Sequence, residues 1–115
     1  MSDGKATDEQ LERAARNQSI FRAVNERLEG IAESFEDVAD TAVFTCECAD
    51  LGCIRMIEMT LAEYEDLRKE SNRFAVLPGH VLPDVERVVS ENDRFVVVAK
   101  LGDGERVAEE LDPRE

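Results

Sequence analysis

Large apolar residues recur at Phe21, Val24, Leu28, Ile31, Phe35 and Val38, in alternating steps of three and four. That spacing is the a/d stripe of a heptad and predicts a proline-free helix from Asp8 to about Asp40. Extended backwards, the stripe meets Ala14 and then Asn17, giving a coiled-coil-like seam over 14–38. A helix of thirty-odd residues would be about 45 Å long, more than a small domain is wide. It must protrude, pair or break, and Gly30 is the weak point, costing about 1 kcal/mol relative to alanine. Few complementary charges flank the seam at Asn25, Arg27, Ala32 and Ser34. Docking on the chain's own sheet and pairing with a second helix are therefore both compatible with the pattern.

After residue 40 the period shortens. "TAVFTC" (41–46) and "CIRMIEM" (53–59) read as two strands of a hairpin whose tip holds residues 46–53. "TLAEYEDLRKES" then opens with a capping box, Thr60 as N-cap and Glu63 three residues on, and places Leu61, Tyr64 and Leu67 on one helical face. "RFAVLPGHVLP" (73–83) is a short strand stopped by Pro78-Gly79, a turn that presents His80. "VERVVSENDRFVVVAK" (85–100) is a second hairpin around a polar "SEND" turn, with Val85, Val89, Phe95 and Val97 in its β-rich runs. From Gly102 onward the acidic "GDGERVAEELDPRE" predicts a flexible tail. The expected organisation is an α+β fold: an N-terminal helix over 1–40, a metal-binding domain over 41–101 with a small antiparallel sheet and one short helix, and a tail over 102–115.

Composition narrows the function. A chain of 115 residues accommodates one domain, and 43% hydrophobic residues suffice for folding. With no Trp, one Tyr and five Phe the core is small, and a metal or partner would help to hold it. The net charge of −13 repels phosphate backbones and anionic headgroups, which argues against direct nucleic-acid or membrane-surface binding. Solubility or a high-salt habitat accounts for such acidity, and a basic protein partner is compatible with it. The first nineteen residues hold no apolar run of the kind a secretory signal needs, so a cytoplasmic location with reduced thiols is expected.

Reduced thiols matter because all three cysteines fall within "FTCECADLGC" (44–53). Cys46, Cys48 and Cys53 follow a C-x-C-x4-C spacing, and His80 waits at the second chain reversal. Three thiolates and an imidazole form the donor set of a closed tetrahedral zinc site with no open position for catalysis. A disulfide would leave one thiol over and strain a Cys46–Cys48 bridge. A [2Fe–2S] cluster on the same four ligands is the rival metal group. A reactive thiol would need a base and an orienting partner, and one histidine serves for everything. Cys48 is the candidate for such redox chemistry, but Glu47 and Asp50 beside it would raise its thiol pKa.

No phosphate-binding loop, EF-hand, paired-carboxylate or triad pattern is present, and Glu58, Glu63, Glu65 and Asp66 read as a solvated acidic face. The pieces "RNQSIFRAVNERLEGI", "FTCECADLGC", "LAEYEDLR", "FAVLPGHVLPDVERVV" and "RFVVVAK" resemble a family of small, functionally uncharacterised actinobacterial proteins with a CxC-x4-C…PGH pattern. The resemblance implies a bacterial cytosolic origin and no mechanism. The expected function is a non-enzymatic, zinc-stabilised interaction or regulatory module. Cys46, Cys48, Cys53 and His80 would hold Zn2+, and Phe21, Val24, Leu28 and Ile31 would meet another protein or a second copy. A polar Asn17 in that seam would fix the register of a parallel pair. The alternative is a thiol redox sensor or small metal or iron–sulfur protein using the same cluster.

Overall fold

The computed structural model describes residues 7–34 and 41–114. Helix α1 runs from Asp8 to Glu33, opened by a capping box in which Thr7 and Gln10 satisfy each other's backbone amides. It passes through Gly30 without a break and is about 39 Å long. Phe35 and Val38, the last two positions of the expected seam, lie outside the described residues.

Strands β1 (Ala42–Thr45) and β2 (Met56–Met59) form the expected first hairpin, with Phe44 opposite Ile57. Helix α2 (Leu61–Leu67) begins at the Thr60–Glu63 capping box and buries Tyr64 and Leu67. Strand β3 (Arg73–Val76) then pairs with β5 (Val96–Lys100), which also takes β4 (Glu86–Glu91) on its other edge. A bulge between Val88 and Ser90 shifts the second hairpin's register. The mixed α+β class is as expected, and the described residues form two small antiparallel sheets rather than one. They are joined where Glu47 N donates to Ala75 O at 2.8 Å, just beyond β1.

The core lies between the sheets and the two helices. Phe44 and Tyr64 stack with ring centroids 4.5 Å apart, surrounded by Ile57, Met59, Phe74, Val76 and Val98. Tyr64 keeps its hydroxyl satisfied by donating to Glu26 of α1 at 2.6 Å.

The expected flexible tail is corrected by the structure. Residues Asp103–Glu110 form a third helix, α3, packed on α1. Gly104, Val107 and Ala108 recur at helical spacing and are buried, a short apolar stripe hidden by the segment's acidic composition. A Cβ at Gly104 would stand 3.2 Å from Leu11 O, so glycine permits the close approach of α3 to α1. Beyond α3, Asp112 pairs with buried Arg68, and Arg114 reaches Glu26, Glu29 and Glu65.

Candidate metal centre

Local geometry brings the thiols together. An extended chain alternates its side chains, so Cys46 and Cys48 leave the end of β1 on one side and Glu47 on the other. The loop then turns back: Cys53 N donates to Asp50 O at 3.0 Å, and Gly52 N to the Asp50 carboxylate at 2.9 Å. Asp50 is thus a turn former. Gly52 has no left-handed backbone; its hydrogen leaves room for Asp50 Oδ1, which a Cβ would approach to 3.3 Å. The fourth donor comes from the Leu77–His80 turn, closed by His80 N donating to Leu77 O at 2.9 Å. Gly79 takes φ +89° there, a conformation that favours glycine, and follows Pro78 in the order a type II turn requires.

The ligand atoms of Cys46, Cys48, Cys53 and His80 all lie within 4.8 Å of one another, and all four sequence-predicted positions are brought together. His80 Nδ1 is 3.6 Å from Cys46 Sγ and 3.7 Å from Cys53 Sγ. A tetrahedron with metal bonds of about 2.3 Å to sulfur and about 2.0 Å to nitrogen has N···S edges of about 3.5 Å. The residues fit one four-coordinate ion. Cys46 Sγ also accepts a hydrogen bond from Leu77 N at 3.3 Å, an amide placed to support a thiolate.

Cys46 and Cys48 are buried and Cys53 half-buried. Burial pushes the Cys46 thiol far above its usual range, against the Leu77 amide, and burial also raises Cys48, with Cys53 adding to the effect. Burial, and not Glu47 as expected from sequence, is the leading cause of the Cys48 shift, and the Glu47 carboxylate is engaged by other partners. Arg22 donates to it through Nε at 2.7 Å and Nη2 at 2.9 Å, Asn25 Nδ2 at 3.0 Å and Ala75 N at 3.0 Å. Beside the cluster, a shallow groove of about 270 Å³ is lined by Cys48, Ala49, Asp50 and residues 79–82.

The predicted partner-binding stripe is not one free surface. Leu28 packs against the core, Phe21 is half-buried, and Val24 and Ile31 are 44% and 59% exposed. Asn17 is not available to set the register of a pair, since its side-chain amide donates to Ala49 O at 2.8 Å. After Leu11, Ala14 and Ala15, what α1 turns inward is a polar stripe that the apolar pattern does not reveal: Gln18, Arg22, Asn25 and Glu29 are all buried. Their 4-3-4 spacing was the available signal. The acidic face is likewise partly engaged, Glu63 pairing with Arg94 and Glu65 with Arg114.

Among the described residues, no helix is long and apolar enough to cross a membrane. No family model, curated protein or solved structure matches the chain, which leaves the chemistry of the site as the guide to its function.

Proposed function

We propose that this chain is a non-enzymatic interaction or regulatory module of the cytoplasm whose fold is secured by a structural Zn2+ on Cys46, Cys48, Cys53 and His80. The observation that carries the reading is the convergence of four soft or borderline protein donors, from segments about thirty residues apart, within 4.8 Å. Four protein donors fill a tetrahedral shell, so the ion's contribution is to cross-link the loop after β1 to the turn after β3. Donors crowded around one point favour a single ion over a two-iron cluster, which divides its ligands between two metals. Burial of Cys46 and Cys48 keeps both sulfurs from solvent oxidants and argues against the alternative of a redox-sensing thiolate.

The partner surface in this reading is the outer side of α1, where Ile20, Val24 and Ile31 are exposed. It would meet another protein or a second copy, without nucleic acid or membrane. Native mass spectrometry, an absorbance spectrum and melting with and without chelator test the metal. One zinc per chain, no visible band and a lower melting temperature after chelation are expected. A coloured protein, or zinc-free protein that melts unchanged, would overturn the structural-zinc reading.

A further inference from the structure

We infer that residues 45–49 act as a two-sided coupler, so that metal occupancy of the cysteine cluster sets how firmly α1 docks, and α1 docking sets the affinity for the metal. The inference rests on the proposed metal site and adds its regulation. Within this segment the side chains of Cys46 and Cys48 face the site, and the three residues between and beside them are held by α1. Asn25 bonds Thr45 twice, accepting from its N–H at 2.7 Å and donating to its carbonyl at 2.9 Å. Gln18 donates to Glu47 O at 2.9 Å, Arg22 and Asn25 bind the Glu47 carboxylate, and Asn17 donates to Ala49 O. Thr45, Glu47 and Ala49, every second residue of this segment, thus bond one helix.

The same helix also reaches the other half of the site. Gln18 donates to Glu86 at 3.1 Å, and the Glu86 carboxylate accepts from Leu82 N at 2.8 Å, two residues beyond His80. Both ligand-bearing segments are therefore tied to α1 by buried polar contacts. The key contact is unforgiving: Arg22 and Glu47 are 2% and 0% exposed, and Arg22 lies 4.3 Å over the Phe74 ring and also donates to Arg73 O. Neither charge of this pair has water as a fallback partner, so displacement of the loop and separation of the helix are coupled. Linkage makes the coupling reciprocal: the factor by which metal strengthens docking is the factor by which docking strengthens metal binding. Glu47 and Arg22 are positioning residues, acting on the metal through the two cysteines that flank Glu47.

The test is hydrogen exchange on the whole chain, zinc-loaded and after chelation, below the melting temperature of the metal-free form. Amides of residues 18–29 should lose at least tenfold protection on zinc removal, while those of the central strand β5 keep theirs. Unchanged protection of 18–29, or equal loss throughout the chain, would overturn the inference. In a second arm, Glu47→Gln should weaken zinc binding about 10–100-fold in chelator competition, and affinity within twofold of wild type would overturn it. Should that variant not fold, the wild-type exchange measurement still decides. Wild type that takes up no zinc removes the proposed function itself, whereas zinc uptake with an indifferent α1 removes only the coupling.

Discussion

Helix α1 carries two stripes of the same heptad-like spacing. One is apolar, through Phe21, Val24, Leu28 and Ile31; the other is polar, through Gln18, Arg22, Asn25 and Glu29. By hydrophobicity alone the first would be buried and the second solvated, yet the polar stripe is fully buried and Val24 and Ile31 stay exposed. The explanation lies in what the helix packs against. On the side away from β2, the chain at residues 45–49 presents backbone groups and a carboxylate, which require donors and acceptors rather than methyl groups. A helix face of amides and a guanidinium supplies them. Apolarity reports which surfaces leave water cheaply; it does not report which surface matches a polar neighbour.

Breaking the buried stripe at its centre should have the largest effect. Arg22→Ala leaves the Glu47 carboxylate buried without its cation and should cost about 3–5 kcal/mol, read from urea denaturation. A loss below about 1 kcal/mol would place the helix's docking energy elsewhere. Asn25→Ala, which strands the N–H and carbonyl of Thr45, should cost about 1–3 kcal/mol. The same denaturation series checks it, and no change would mean that water replaces the amide.

The exposed stripe sharpens the contrast from the other side. Replacing Val24 and Ile31 by Ser should alter stability by no more than about 0.5 kcal/mol each, while reducing any self-association or partner capture seen by analytical ultracentrifugation. Loss of stability without loss of association would assign these residues to the core instead.

A pH dependence probes the far end of the buried stripe. Burial, reinforced by facing Glu65, pushes Glu29 up to about 7, whereas Arg114 and then Glu29 hold Glu65 at about 2. The folded chain therefore keeps a proton on Glu29 that the unfolded chain releases above about pH 4.3. Stability from this group falls as the pH rises towards 7. Glu65 contributes the opposite sign, stability present above its ordinary pKa and lost as the pH falls towards 2. Glu29→Gln should flatten the decline between pH 5 and 7 in a melting series, and an unaltered slope there would show that Glu29 is not its source.

Much of this protein was legible in its residues. Capping boxes, period-two runs and the "SEND" and Pro78-Gly79 turns determine both hairpins and α2, because those signals act within a few residues of themselves. The four candidate ligands were legible too: thiols and an imidazole are chemically distinctive, and the i, i+2 spacing of Cys46 and Cys48 suits one side of a chain segment. Tertiary structure decided the rest. Arg22 and Glu47 are twenty-five positions apart, and each alone reads as a solvated charge until the fold excludes water from both. Val107 and Ala108 are too few to announce a helix until α1 offers them a surface. Sequence determined the elements and the donor set, which depend on local backbone geometry and side-chain chemistry; only the packed chain decided which face of α1 is the inside, since that depends on the complementarity of surfaces brought together from distant positions.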